Sequence, residues 1–195
     1  MSNPLISRVQ RSMDDIVVEL GMGDGKLIKL LSDKNPDLYY VGIEINTDLF
    51  NIARSSKKSN NNLLLINDSA ESIVPLFEDN SVHKFISVLP DPKFIDKTRV
   101  KNWKFLYELI YKKLKIKGTF ILITELTHEL LQPVSDELFF TEVKWLKQEF
   151  ASIGFNILDS FEGCQEIYDS SFLERFKGDP QRIRIVTFEF VKPKD

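Results

Sequence analysis

A short apolar run that ends in three closely spaced glycines constrains this chain more than any other feature. Residues 16–20 are apolar apart from Glu19, and Gly21, Gly23 and Gly25 follow at once. The apolar residues after the glycines recur at helical spacing. A strand, a glycine turn and a helix hold nucleotide-like ligands at the carboxyl ends of strands in open α/β sheets. The sequence therefore predicts an α/β sheet with a ligand site at this turn.

The spacing of the glycines narrows the class of ligand. It differs from the Gly-x-Gly-x-x-Gly of dinucleotide-binding proteins and from a phosphate loop, which disfavours a nicotinamide-dependent dehydrogenase. The pattern resembles the first motif of class I S-adenosylmethionine methyltransferases. S-adenosylmethionine has no pyrophosphate but carries a sulfonium and an ammonium, and the carboxylate of Glu19 suits such a cation. The alternative is a purely structural turn, since glycine adopts positive φ readily.

Length and composition predict a soluble protein with one main domain. The chain has 195 residues, of which 43% are hydrophobic and 28% charged, and we expect an arm over residues 1–15 and a domain over 16–195. No stretch approaches the roughly 20 apolar residues of a membrane helix. The single cysteine, Cys164, indicates a reducing cytoplasm, and one cysteine with two histidines does not make a four-ligand metal site. We expect a monomer or homodimer without membrane contact.

Two further acidic residues follow predicted strands. Glu44 ends the second strand about twenty residues past the glycines, where α/β ligand sites place an acid on the ribose hydroxyls. A carboxylate can accept from both hydroxyls at once. Asp68 follows the third strand, 63–66, and would accept from the adenine amino group. Its alternative or additional role is to cap a helix over 69–77.

The fourth predicted strand, Val82–Val88, leads into Pro90-Asp91-Pro92. Prolines on both sides restrict the backbone and so fix the direction of the Asp91 side chain. With the glycine turn, Glu44 and Asp68 upstream, this motif resembles the tRNA (guanine-N7)-methyltransferase family. The resemblance runs over roughly residues 16–126 and returns at 171–174.

The resemblance implies a Rossmann-like class I methyltransferase fold. This fold has a seven-stranded, mostly parallel sheet with helices on both faces and an antiparallel last strand. It also implies S-adenosyl-L-methionine as the cofactor and tRNA as the substrate. The implied cofactor-binding residues are Glu19, Gly21, Gly23, Glu44, Asp68 and Asp91. Asp91 is the implied catalytic residue, which orients the guanine edge and offsets the positive charge that N7 methylation creates.

The implied substrate-binding residues are Glu125, Ser171, Glu174, Lys97 and Arg99. The chain departs from the family in three places. It has Lys93 instead of a tryptophan after the Pro-Asp-Pro motif, and a shorter basic run follows. Glu125 stands where the family prefers aspartate, and Ser171 replaces threonine. A methyltransferase for another RNA position, a protein or a small molecule therefore stays open, as does a non-catalytic cofactor-binding partner subunit.

Charge is unevenly distributed along the chain. The net charge is −3, yet nine basic residues stand between Lys93 and Lys117 against Asp96 and Glu108, a local charge of +7. Such a cluster indicates an anion-binding surface, in which Lys97 and Arg99 follow Asp91 closely. The alternative is a solvated helix face.

The remaining pattern predicts helices over 47–58, 101–115 and 135–152, and strands over 119–124, 155–161 and 182–191. In the helix 101–115 we expect Trp103 to be a core anchor. Residues 162–181 show no periodicity and are predicted to be irregular.

Overall fold

The structure is a computed structural model that describes residues 15–55, 61–128, 132–168, 171–176 and 178–194. Seven strands form one sheet: β1 (Ile16–Leu20), β2 (Tyr39–Glu44), β3 (Leu63–Asn67), β4 (Val82–Val88), β5 (Leu114–Thr127), β6 (Asn156–Glu162) and β7 (Ile183–Val191). The helices are α1 (Lys26–Lys34), α2 (Thr47–Ser55), α3 (Ala70–Ile73), α4 (Val100–Lys113), α5 (Asp136–Ile153) and α6 (Ser171–Phe176). The predicted arm lies outside the described residues except for Asp15.

The strand order is β3-β2-β1-β4-β5-β7-β6. Strands β1 to β5 pair in parallel, while β7 runs antiparallel to both β5 and β6. The strand order therefore reverses at β1, and β1 and β4 lie side by side there. Open α/β sheets bind ligands at such a reversal, outside the carboxyl ends of the strands. The predicted fold, including the antiparallel last strand, is confirmed.

Apolar residues cover both faces of the sheet. Helices α4 and α5 pack on one face, where Trp103 and Phe150 are almost fully buried and their rings stack at 6.3 Å. Helices α1 and α2 cover the other face, together with Tyr168 and Leu173. Because every central strand is buried on two sides, it reads as a continuous apolar run. Trp103 is the core anchor that was expected.

Several predicted boundaries differ from the structure. The helix predicted over 47–58 begins at Thr47 as predicted, and its last positions, 56–58, lie outside the described residues. Its cap is Asn46, whose Oδ1 accepts from the N–H groups of Asp48 and Leu49 at 3.0 and 3.1 Å. The helix predicted over 101–115 is α4, and the chain enters β5 at Leu114, which pairs with Val82. The strand predicted over 119–124 therefore begins earlier and ends later.

The prediction of an irregular segment over 162–181 is wrong for part of its length. The segment contains the 3-10 turn Glu166–Tyr168 and the helix α6. Leu173 is fully buried against the sheet face that also holds Ile123. A helix of six residues has fewer than two turns, which is too short to produce a recognisable period.

Candidate active site

The glycine turn between β1 and α1 is shaped by left-handed backbone. Gly21, Gly23 and Gly25 have φ values of 70°, 57° and 74°, which side chains strongly disfavour. The N–H groups of Gly21 and Met22 both donate to the carbonyl of Ile43 at 2.9 Å, which ties the turn to β2. A Cβ at Gly21 would meet no atom within 4 Å, whereas one at Gly25 would lie 2.9 Å from the Cβ of Ala53. The turn is therefore open on its Gly21 side and packed against α2 at Gly25.

Glu44 is held by backbone donors on both oxygens. Its Oε2 accepts from the Gly23 N–H at 2.8 Å, and its Oε1 accepts from the Asn46 N–H at 2.8 Å. The residue is only 6% exposed, so these bonds replace water that the carboxylate has lost. Each oxygen keeps acceptor capacity. Glu44 thus links the end of β2 to the glycine turn after β1, and its carboxylate has a fixed orientation.

Asp68 lies beyond β3 and is exposed. Its Oδ1 accepts from the Ser69 N–H at 2.7 Å. The cap of the next helix is Ser69, whose Oγ accepts from the Ser72 N–H at 3.1 Å. The helix is also shorter than the predicted 69–77, because α3 ends at Ile73 and passes into a 3-10 turn. The interpretation of Asp68 as that helix cap is therefore wrong.

Asp91 is positioned by an unusual backbone. Leu89 has φ of 51°, a left-handed conformation that is rare for a residue with a side chain, and its N–H donates to the Ile123 carbonyl at 2.7 Å. Asp91 then caps the 3-10 turn Pro92–Phe94, with Oδ1 accepting from the Lys93 N–H at 3.0 Å. The Lys93 ammonium lies 3.3 Å from Oδ2. The Lys93 N–H and its ammonium together hold the pKa of Asp91 below its usual value.

These elements enclose a cavity of about 300 Å³ at the carboxyl ends of β1, β2 and β4. Five of the predicted site residues line it: Gly21, Gly23, Glu44, Asp68 and Asp91. Sequence reasoning missed most of the apolar wall, which includes Ile45, Leu49, Leu89, Phe94, Leu106 and Tyr107. Ile45 could have been found because it follows Glu44 directly. Leu106 and Tyr107 come from α4, and nothing in the helix pattern indicates that they reach a ligand site.

Glu19 does not line this cavity. It is 3% exposed, and its Oε2 has no hydrogen-bond partner in the described part of the chain. Burial raises the pKa of Glu19 well above its usual value, and the charges of Asp24 and Glu44 add to the effect, while the Ile28 N–H opposes it. The structure thus places Glu19 in the protein core in the second half of β1, outside the cavity lining.

Glu125 resembles Glu19 in this respect. Its Oε2 is also buried and unpaired within the described residues. Burial raises the pKa of Glu125, and the negative charge of Asp91 contributes further. Glu125 and Asp91 are therefore close enough to interact, although only Asp91 lines the cavity.

Of the other predicted substrate residues, Lys97, Arg99 and Glu174 lie outside the cavity wall. Ser171 is the first residue of α6, and Glu174 is exposed on the same helix. Lys97 Nζ pairs with Glu142 Oε1 at 2.9 Å and lies 5.4 Å from the centre of the Trp145 ring. Arg99 Nε lies 3.5 Å from Asp96 Oδ2.

Most residues of the predicted basic cluster pair with acids, some of them nearby in sequence and others from distant parts of the chain. Besides Lys93, Lys97 and Arg99, Lys104 pairs with Glu149, Lys115 with Asp15, and both Lys112 and Lys113 with Asp79. The residues share a stretch of sequence but not one uncompensated surface. A local charge count does not reveal this, because the partners lie up to 100 residues away.

No group of three or more His, Cys, Asp or Glu side chains suited to a metal ion occurs in the described residues. No helix in that part of the chain is long and apolar enough to cross a membrane.

The sheet order, the glycine turn and the cavity at the strand reversal together define a Rossmann-like methyltransferase architecture. The sequence profile of the family described as "Putative methyltransferase" matches residues 13–150. The chain belongs to this family.

Comparison with individual proteins supports the same class. The chain is 31% identical over 132 residues to a tRNA (guanine-N(7)-)-methyltransferase of Wolbachia pipientis, covering 64% of this chain and 58% of that protein. It is 28% identical over 170 residues to the enzyme of the same name from Thermotoga maritima, covering 84% of this chain and 46% of that protein. The chain thus spans about half the length of these curated relatives.

Solved structures share the fold at low identity. The 16S rRNA methyltransferase KamB superposes with a TM-score of 0.74 at 16% identity, covering 100% of this chain and 95% of that one. The 16S rRNA (adenine(1408)-N(1))-methyltransferase of Catenulisporales acidiphilia, in a structure with S-adenosylmethionine, gives a TM-score of 0.71 at 15% identity over 97% of this chain and 91% of that one.

Proposed function

We propose that this protein is an S-adenosylmethionine-dependent methyltransferase that methylates N7 of a guanine in tRNA in the cytoplasm. The observation that carries the proposal is the convergence of Glu44, Asp68 and Asp91 with the glycine turn on one cavity. The names of the curated relatives support the choice of tRNA and of guanine N7.

The cavity suits a cationic adenosine derivative. Gly21 leaves open space where a ligand can approach the backbone, and Glu44 offers fixed carboxylate oxygens to a ribose. Ile45 and Leu49 provide an apolar wall for a base, with Asp68 at its edge. Since the carboxylates outnumber the one lysine of the wall, the cavity favours a positive ligand over a phosphate. S-adenosylmethionine supplies the methyl group when it is bound.

Methyl transfer to guanine N7 needs position and charge complementarity rather than a base, because N7 carries an in-plane lone pair. The product purine is cationic. Asp91 meets the requirement for a nearby negative charge, because the Lys93 N–H and ammonium keep its carboxylate ionised. Its flanking prolines and the left-handed Leu89 fix the direction of the side chain. We assign Asp91 as the catalytic residue that orients the guanine edge.

The proposal also assigns roles in substrate binding to further residues. Glu125 interacts electrostatically with Asp91 and is suited to hold the base edge. Helix α6 packs through Leu173 on the sheet face that α1 and α2 cover. Ser171 and Glu174 on this helix would hold the substrate. Lys97 and Arg99 would contact RNA phosphates if their bonds within the chain open on binding. Burial raises the pKa of Glu19, so Glu19 would attract the cofactor only if the bound cation lowers that pKa and ionises its carboxyl group.

The experiment is methylation of unmodified tRNA by the purified protein with labelled S-adenosylmethionine, followed by nuclease digestion and mass spectrometry. The expected product is 7-methylguanosine, and tRNA from cells that lack the protein should be short of the same nucleoside. Label on another nucleoside, on a protein or on a small molecule would show that the acceptor is not guanine N7 of tRNA. Cofactor binding without turnover on any acceptor would instead indicate a partner subunit.

A further inference from the structure

The inner wall of the cavity contains a phenol that the proposed chemistry does not use. Tyr107 lies in the middle of α4 and is 2% exposed. Its ring packs edge-on against Trp103 at 5.5 Å and Phe150 at 4.8 Å. The same residue lines the cavity, next to Leu106. A group held this firmly in the core is a rigid part of the cavity.

The hydroxyl of Tyr107 has no hydrogen-bond partner among the described residues, and burial alone raises its pKa. Among the described residues, the side-chain polar atoms that have neither accessible surface nor a hydrogen-bond partner belong to Glu19, Thr119 and Glu125. The unpaired phenol oxygen is not one of them, so it keeps some accessible surface. The space that its residue borders is the cavity.

An unpaired polar group in the core destabilises a protein unless a ligand or water pairs with it, since a buried group without a partner costs about 1–3 kcal/mol. Phenylalanine would fill the same space among Trp103, Phe120 and Phe150 without that cost. Most of the cavity surface is apolar, and its lining includes Leu106, Ala70, Ile45 and Leu49 besides Tyr107. Such a wall fits the flat face of a base.

We propose that Tyr107 is a further ligand-binding residue, whose hydroxyl hydrogen-bonds to the adenine of the bound cofactor. The inference rests on the proposed function. It adds a contact from α4 to those from the strand ends, and it assigns to Tyr107 a positioning role rather than a part in methyl transfer.

The test compares Tyr107→Phe with Tyr111→Phe, a substitution on the same helix. Tyr111 packs against Phe155 at 5.1 Å and under Lys192, and it does not line the cavity. Calorimetry should show that Tyr107→Phe weakens S-adenosylmethionine binding about three- to tenfold, which corresponds to one hydrogen bond. Tyr111→Phe should leave the affinity unchanged.

Adenosine serves as the second probe, because it lacks the methionine part. Tyr107→Phe should weaken adenosine binding by the same factor as S-adenosylmethionine binding. A loss for S-adenosylmethionine alone would overturn the assignment to adenine, and equal affinity of wild type and Tyr107→Phe for both ligands would overturn the contact itself.

Thermal unfolding distinguishes a ligand contact from a structural role. Without ligand, Tyr107→Phe should be as stable as wild type or slightly more stable, because it removes an unpaired hydroxyl. A large loss of stability without ligand would show that the hydroxyl supports the fold instead. If wild type binds neither ligand, the proposed function fails, and that outcome is separate from a failure at Tyr107.

Discussion

The carboxylates at the two ends of the cavity differ in their hydrogen-bond partners and in their exposure to solvent. At the β1–β2 end, Glu44 accepts one backbone N–H on each oxygen and is almost fully buried. At the β4–β5 end, the Asp91 side chain is 53% exposed and shares its charge with Lys93. Glu125, which interacts with Asp91 from outside the cavity wall, has one buried oxygen without a partner in the described residues. The chain thus completes the first end by itself and leaves the second end to be completed by something else.

This difference suits two distinct functions at the two ends of the cavity. Backbone donors cannot move away, so Glu44 offers the same geometry with or without a ligand, as a site for a cofactor requires. A lysine side chain can leave, so Asp91 can exchange the ammonium for another positive group. The pKa values of Asp91 and Glu125 are shifted in opposite directions, downward and upward, as in sites where two neighbouring carboxyls have different roles.

The largest effect is expected from Asp91→Asn. This change keeps the size of the side chain but removes the charge that offsets the methylated purine. Turnover should fall by roughly 10²-fold or more, the scale of losing one transition-state electrostatic contact. The measurement is the single-turnover rate on tRNA.

Asp96→Asn is a matched control for that experiment. Asp96 also caps a 3-10 turn, accepts from the Thr98 N–H at 2.8 Å and pairs with a basic residue, but it does not line the cavity. Its replacement should leave the rate almost unchanged. Equal rates for wild type and Asp91→Asn would remove Asp91 from the chemistry and with it the contrast between the two ends.

Glu44→Ala should have the next largest effect. It removes an acceptor for ribose and leaves the Gly23 and Asn46 N–H groups without their partner. S-adenosylmethionine binding should weaken by about 1.5–3 kcal/mol, the range for hydrogen bonds to charged groups. Calorimetry measures this, and Glu78→Ala, an exposed glutamate outside the cavity wall, is the control that should leave the affinity unchanged. Unchanged affinity, or tighter binding of a nicotinamide dinucleotide, would contradict the assignment.

Lys93→Met should change the pH dependence more than the maximal rate. The Lys93 ammonium helps to hold the pKa of Asp91 below its usual value, although the Lys93 N–H contributes more and survives the substitution. A carboxyl with a lowered pKa keeps its function until the pH falls through that pKa. Losing the ammonium raises the pKa, so the acid limb of kcat/KM should move to higher pH.

Lys101→Met is the control for the pH profile, because Lys101 is an exposed residue of α4 outside the cavity wall. It should leave the acid limb in place. An identical acid limb for Lys93→Met and wild type would show that Asp91 does not control the rate through its ionisation.

The sequence predicted those parts of the site that depend on local conformation. The three glycines form the predicted turn after β1, and Glu44, Asp68 and Asp91 lie at strand ends that a parallel sheet brings together. The bond between Gly23 and Glu44 joins residues 21 positions apart, and no local pattern contains it. The same holds for Tyr107, because helical periodicity shows that a residue is buried but not what it borders.

The predicted basic cluster shows the opposite case, in which sequence proximity was misleading. Lys97 and Lys104 pair with Glu142 and Glu149 on α5, and both pairs span 45 residues. These bonds link α4 and the 3-10 turn before it, Lys97–Arg99, to α5, so part of the positive charge stabilises the packing of these elements. Charge counting along a chain cannot assign such partners.

The smallest effect concerns RNA binding and separates two groups of basic residues. If RNA contacts Lys97 and Arg99, each phosphate contact adds about −0.7 to −0.9 to the slope of log K against log salt. Neutralising both should therefore reduce the slope of tRNA binding by one to two units. Their pairing with Glu142 and Asp96 competes with phosphate, so we expect the lower part of that range. Lys112 and Lys113 share Asp79 at the far end of α4, and neutralising them should hardly change the slope. Cofactor affinity should stay the same in both double variants. Equal slopes for wild type and the Lys97/Arg99 variant would mean that these residues only support the fold, and that RNA binds elsewhere.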